Sequence, residues 1–290
     1  MKKITKIALS SSLGVLLGLV VHQKRKVSLI PRFTKMKSVQ DEIKHASPTH
    51  PLVFSHRGSP YNSPEHSFQG YDQAIKDGSH FIEQDIWLSK DDILYVTHDN
   101  NLKRTTGRNI KVSNSMSKQL DKVKLKNGEH LHRLSAAFEH YGRKIHYIIE
   151  SKKYLGASNK TEEILSEQLD KYQMNDNVII QDTKLSGIEY LHSLPNQKDV
   201  PYLYLMKALT KRGILKKVHT APNYITFLAM NLILSSPKII ESIHRRGMLS
   251  DVWTAKNYKD NFEAIKIDKV DSIFTNNTKQ TRKLLRKFIR

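Results

Sequence analysis

The chain has 290 residues, with 48 Lys and Arg against 28 Asp and Glu, giving a formal charge of +20 at pH 7. It contains no cysteine, which excludes disulfides, thiolate metal ligands and a cysteine nucleophile while leaving the redox compartment open. Such a charge favours an anionic partner, but no zinc-finger spacing, RNP-type aromatic motif or Gly-rich phosphate loop accompanies it, so nucleic acid is not expected. An anionic membrane or wall polymer suits the basic clusters at residues 122–126, 207–217 and 282–290 better.

Residues 7–21 form a mostly apolar run behind Met1-Lys2-Lys3-Ile4-Thr5-Lys6, the pattern of a secretion signal or signal anchor. The run is shorter than the ~20 residues that comfortably span a bilayer, although ~17 can suffice when flanking Lys and Arg snorkel. No small-x-small cleavage site follows, and residues 22–26 are largely basic, so a retained membrane anchor over residues 1–26 is preferred to a removed peptide. Basic residues on both flanks give no orientation. Export is the usual consequence of such a segment, so the globular part is expected outside the cytoplasm, with secretion as the alternative. Residues 27–50 read as a polar linker.

From residue 51 to residue 290, short apolar runs alternate with helix-patterned segments, as in βα units and a parallel sheet. Strands are expected at 52–55, at 81–86 with an extension at 94–97, and at 145–150, 178–181, 202–206, 224–228, 249–253 and 272–275. Segments 67–76, 162–172 and 238–245 carry apolar residues at helical spacing. The fold class predicted is α/β, a single closed (β/α)8 TIM barrel, which needs about 250 residues. One long polar stretch, residues 100–141, interrupts the alternation between the second and third strands and reads as an insertion.

The chemistry-bearing residues follow the strands. His56-Arg57-Gly58 comes after the first, Glu83 and Asp85 lie late in the second, His98-Asp99 closes its extension, and Glu150 and Lys152 close the next. Barrel enzymes keep their chemistry at these strand ends. Spacing by two puts Glu83 and Asp85 on one face of a strand, and likewise Glu150 and Lys152. Paired oxygen ligands suit a hard divalent cation such as Ca2+ or Mg2+. Positive charge and proton carriers together are what attack on a resistant phosphodiester requires.

The order His56-Arg57-Gly58, Pro64-Glu65, Glu83-Gln84-Asp85, His98-Asp99 and Glu150-Ser151-Lys152 resembles the glycerophosphodiester phosphodiesterase family, a branch of the phospholipase-C-like TIM-barrel phosphodiesterases. The resemblance runs from about residue 51 to about residue 277 and implies that the insertion shapes the substrate entrance. It further implies that Glu83, Asp85 and Glu150 hold one divalent cation, that Arg57 and Lys152 bind the phosphate, and that His56 and His98 act as acid and base. Glu65 and Asp99 would support the site, and Trp253, in Trp253-Thr254, would line the pocket. The activity implied is hydrolysis of small-molecule or lipid-derived glycerophosphodiesters to sn-glycerol 3-phosphate and an alcohol. Hydrolysis of lysophospholipids or of a teichoic-acid-like polymer is the alternative, and a non-catalytic module binding anionic lipid or polymer is a second. Pro64-Glu65-His66, in place of Pro-Glu-Asn, and Thr275-Asn276-Asn277, in place of an Asp-Tyr-Pro-like end, depart from the family pattern and leave the head group open. Oligomeric state is not readable from the sequence.

Overall fold

A computed structural model describes residues 38–153 and 158–289. The apolar run at 7–21 and the whole anchor segment lie outside the described residues; among those described, no helix is long and apolar enough to cross a membrane. In chain order the strands are β1 (Leu52–Ser55), β2 (Phe81–Leu88), β3 (Leu94–Val96), β4 (His146–Ser151), β5 (Val178–Asp182), β6 (Tyr202–Met206), β7 (Ile225–Asn231), β8 (Leu249–Ala255) and β9 (Ser272–Thr275). They pair in the order β1-β9-β8-β7-β6-β5-β4-β2-β3, and β1 also pairs with β2, so every strand but β3 belongs to a closed parallel barrel. The fold is the eight-stranded TIM barrel. Runs such as Ile148-Ile149 and Val178-Ile179-Ile180 are buried on both faces, the condition that makes parallel strands read as continuous apolar stretches. The expected extension at 94–97 is instead β3, an antiparallel strand hung on the end of β2 with Ile86 opposite Val96.

Inside the barrel, Phe54 is the centre of an aromatic floor. Its ring lies 5.1 Å from Phe81, 5.8 Å from Phe227 and 5.1 Å from Phe274, all edge-to-face. Beneath these rings sits α1 (Val39–Ile43), whose Val39 and Ile43 join the same cluster. Ser38 and Asp41 form a capping box at its start, and the Val39 N–H donates to Asp176 O at 2.9 Å. Burying a Val or Ile side chain stabilises by roughly 1.5–3 kcal/mol, so this short helix is retained by packing rather than by propensity. The linker reading of residues 27–50 is therefore corrected over 38–50: two apolar residues four apart were enough to anchor the stretch under the barrel.

The outer layer begins with α2 (Phe68–Lys76), capped by Ser67 Oγ, which accepts from the Gly70 N–H at 3.0 Å. The stretch between β3 and β4 holds α3 (Lys103–Thr106), α4 (Ser117–Leu120) and α5 (Leu134–Tyr141). Leu134, Phe138 and Tyr141, spaced at helical period, pack in the layer between barrel and helices. The insertion thus ends before α5, which is a barrel helix. Its remainder has a core of its own, made of Tyr95, Leu102, Val112, Leu120, Val123, Leu125 and Leu131.

Candidate active site

Strand alternation builds the site. Side chains two apart point the same way, and in this barrel each inward series starts on the apolar floor and ends in a polar group at the C-terminal mouth. Phe54 leads to His56, Phe81 to Glu83 and Asp85, Ile148 to Glu150 and Lys152, Ile179 to Gln181, and Phe274 to Asn276. Register aligns them across strands, with Asp85 opposite Glu150 and Glu150 opposite Gln181. The result is a cavity of about 410 Å³ whose walls include His56, Arg57, Glu83, Asp85, His98, Glu150, Lys152 and Trp253.

Glu83, Asp85 and Glu150 are buried, and one carboxylate oxygen from each lies within 4.8 Å of the others. Burial and the negative charge of Asp85 push the Glu83 carboxyl up, while burial, partly offset by Lys152, raises Glu150 to about 7. Asp85 goes the other way. Against its own burial, Lys152 and His66 hold it well below the usual carboxylate range. Lys152 Nζ lies 3.0 Å from Asp85 Oδ1 and 2.5 Å from Glu150 Oε1. An all-oxygen donor set converging this tightly, with two members raised for want of positive charge, fits a hard divalent cation.

At the end of β1 the chain bends sharply. Arg57, Gly58 and Ser59 have φ values of 51°, 78° and 60°, all left-handed. At Gly58 a Cβ would meet the Tyr71 ring at 2.4 Å, so the glycine of this triplet is required twice over. The bend aims the Arg57 N–H at Glu83 Oε2, 2.8 Å away, and leaves Arg57 Nη1 3.2 Å from Glu65 Oε2. His56 Nδ1 sits 2.6 Å from Asn276 Oδ1. Burial, reinforced by the Arg57 charge, lowers the His56 imidazole to about 4. His98 Nδ1 lies 2.7 Å from Asp99 Oδ1, and burial lowers its pKa as well.

Glu65 and Asp99 do not join the carboxylate cluster. Both are tied instead to Arg104 on α3: Nη1 and Nη2 donate to the two Glu65 oxygens at 2.7 Å each, and Nε donates to Asp99 Oδ2 at 2.6 Å. Burial would raise Glu65, yet the Arg104 hydrogen bonds outweigh it and hold the carboxyl down to about 2. Arg104 thus links the residue that steadies Arg57 to the one that steadies His98. Trp253 forms part of the cavity wall, and its indole N–H has no partner among the described residues.

Gln181 and Arg104 escaped the sequence reading, while His66 and Asn276, read there only as departures from the family pattern away from the metal ligands and the two His, in fact touch Asp85 and His56. His66 is buried with Nε2 3.0 Å from Asp85 Oδ2 and Nδ1 3.1 Å from the Tyr71 hydroxyl. Gln181 Nε2 donates to Glu83 Oε1 at 2.9 Å. Asn276 faces His56, and Arg104 bridges as described. A polar residue at the last inward position of a barrel strand, or two residues past it, is a signal that would have found Gln181 and Asn276.

The sequence matches the model of the glycerophosphoryl diester phosphodiesterase family over residues 56–280. The chain belongs to that family. A glycerophosphodiester phosphodiesterase of Caldanaerobacter subterraneus is 27% identical over 248 residues, covering 81% of this chain and 98% of that protein. One from Bacillus subtilis is 26% identical over 254 residues, covering 79% and 85%. Among solved structures, an Oleispira antarctica phosphodiesterase in complex with sn-glycerol 3-phosphate superposes with a TM-score of 0.73 at 18% identity, covering 82% of this chain and 97% of that one. At that identity the likeness is one of fold. The family match makes this protein a glycerophosphodiester phosphodiesterase, with all five motifs of the family order on the one barrel face.

Proposed function

We propose that the enzyme hydrolyses glycerophosphodiesters to sn-glycerol 3-phosphate and an alcohol with the help of one divalent cation, Ca2+ or Mg2+. The observation that carries this reading is a single cavity holding two imidazoles, four cationic side chains (Arg57, Lys152, Lys207 and Lys256) and three converging carboxylates. Glu83, Asp85 and Glu150 would hold the cation, which when bound supplies positive charge against the phosphate oxygens. Arg57 and Lys152 offer charge-assisted hydrogen bonds to the same oxygens, and each is braced by a carboxylate, Glu65 for the first and Asp85 for the second. In His56 and His98, Nδ1 is engaged by Asn276 and Asp99, which leaves Nε2 of each free to carry protons. One, neutral, accepts a proton from the attacking water, and the other, protonated beside the anionic substrate, gives one to the departing alcohol as the P–O bond breaks. The relatives' names and the glycerol 3-phosphate in the Oleispira structure support this choice of reaction and product.

The test is release of sn-glycerol 3-phosphate from glycerophosphocholine and glycerophosphoglycerol, after EDTA and on return of Ca2+, Mg2+ or Mn2+, beside a His56→Ala control. Release should need the cation and fall roughly 10²–10⁴-fold in the control, the usual worth of a proton carrier. No release from either diester with any cation would sink the reading.

A further inference from the structure

One side of the rim around the cavity carries a basic surface that runs outward from Lys207 and Lys256, which also line the cavity. Three loops leave the C-terminal ends of β6, β7 and β8, at residues 206–213, 231–238 and 255–259. Together they contain Lys207, Lys211, Arg212, Lys238, Lys256 and Lys259, and the next residue after the last of them, Asp260, accepts from the Lys256 N–H at 2.8 Å. Among these cations stand Leu209, 98% exposed, and Ile233, 84% exposed. Aliphatic side chains this bare gain nothing from packing, and set among cations on neighbouring loops of one rim they suit a surface that is apolar beneath an anionic layer.

Both are presented by fixed backbone. Thr210 Oγ1 accepts from the Gly213 N–H at 3.1 Å and so starts the helix Lys211–Thr220 directly after Leu209. Asn231 Oδ1 accepts from the Ile233 N–H at 3.0 Å, and the Ser235 hydroxyl donates to Leu232 O at 2.7 Å, closing the turn that lifts Ile233. Across the mouth, in the loop after β1, Tyr61 is also exposed.

We infer that this face docks on an anionic lipid bilayer, with Leu209 and Ile233 entering the acyl boundary and the six cations meeting lipid phosphates. Apolar tips ringed by Lys and Arg match the layered chemistry of that interface. A soluble polyanion would engage the cations but leave both aliphatic side chains in water. A second copy of the chain, joined face to face, would set six cations against six. Docked this way, the cavity opens toward the bilayer surface, so a diester carried on a lipid reaches the site without crossing bulk water. The inference goes beyond the hydrolytic reading and is testable without it.

The experiment uses the full chain carrying Leu209→Trp, mixed with phosphatidylglycerol vesicles with or without brominated acyl chains, and with phosphatidylcholine vesicles. The expected result is blue-shifted emission, quenched by brominated phosphatidylglycerol well beyond the wild-type signal of Trp87 and Trp253, and weak or absent with phosphatidylcholine. A second variant, Leu209→Trp with Ile233→Asp, should weaken that quenching on phosphatidylglycerol by about tenfold, as expected when apolar insertion is replaced by charge, whatever residues 7–21 add to vesicle binding. Neither residue lines the cavity, so release of glycerol 3-phosphate from a soluble diester should be unchanged. Quenching of Leu209→Trp no greater than wild type would overturn the inference, as would equal quenching on both lipids. A concentration-dependent dimer lost in the double variant, without quenching, would overturn it in favour of a second copy. If soluble diesters are not hydrolysed even by the wild type, the hydrolytic reading fails and quenching alone decides the docking.

Discussion

Removing Arg104 separates positioning from folding. Its guanidinium makes three short hydrogen bonds, two to Glu65 and one to Asp99, and through them steadies both Arg57 and His98 in the cavity wall. The Arg104 side chain is 49% exposed, so solvent screens the pairs and Arg104→Ala should lower global stability by about 1 kcal/mol or less. The catalytic cost is larger. Releasing two groups that must meet one phosphate should cost about 1.5–3 kcal/mol in transition-state stabilisation, or roughly 10–100-fold in kcat/KM. Arg104→Lys keeps the charge but not the two-pronged grip on Glu65, and should fall between the two. Steady-state kinetics on glycerophosphocholine, paired with urea melts of all three proteins, gives both numbers. An Arg104→Ala enzyme with kcat/KM within about twofold of wild type would refute the positioning argument, and a loss of activity matched by an equal loss of stability would refute the separation.

Phe54→Ala removes the hub of the barrel floor, and about 3–5 kcal/mol should be lost in urea unfolding; a loss under about 1.5 kcal/mol would mean the floor repacks. Ca2+ or Mg2+ should raise the melting temperature of the wild type, with about 2.7 kcal/mol gained at a hundredfold excess over Kd, and Glu83→Gln should abolish that gain. A wild type indifferent to every divalent cation would contradict the carboxylate site. Asp91, half-buried in the loop between β2 and β3, is held down to about 2 by the Ser117 hydroxyl, with help from Ser89 and the Ser117 N–H and against slight desolvation. Because the folded value lies below the ordinary 3.8, its contribution is complete above that pH and is lost as pH falls toward about 2. Hydrogen exchange at the Ser117 amide should quicken across that window in the wild type, and Asp91→Asn should exchange faster already at neutral pH. Matching profiles for the two proteins would count against the assignment.

The barrel was legible because parallel strands buried on both faces leave unbroken apolar runs. Residues 52–55, 202–206 and 272–275 have the same limits in the structure as in the expectation, whereas β7 and β8 run on past their expected ends to Asn231 and Ala255. The added residues, from Ala229 to Asn231 and from Thr254 to Ala255, are short mixed runs with no apolar alternation of their own, and ladder pairing to the neighbours keeps them extended. Clustered motifs made His56, Glu83, Asp85, His98, Glu150 and Lys152 visible, since two-residue spacing on a strand fixes direction without knowledge of the fold. His66 was visible only as a departure from the family pattern, and its contact with Asp85 depends on the left-handed turn at residue 66. Arg104 gave no signal at all. It lies thirty-nine residues from Glu65, and the distance is bridged by the insertion folding back over the mouth.

That insertion gathers its apolar residues in a small cluster that meets the rest of the protein through Tyr95 of β3 and Trp87 of β2. Units with separate cores open separately. Arg104 and the partners of Asp91 travel with it, so heating should silence the enzyme while circular dichroism still reports an intact barrel. Thermal tolerance of catalysis is then set by a few dozen residues at the entrance, and sequence changes confined to Leu102, Val112, Leu120 and Leu131 could adjust an organism's working temperature without altering the barrel at all.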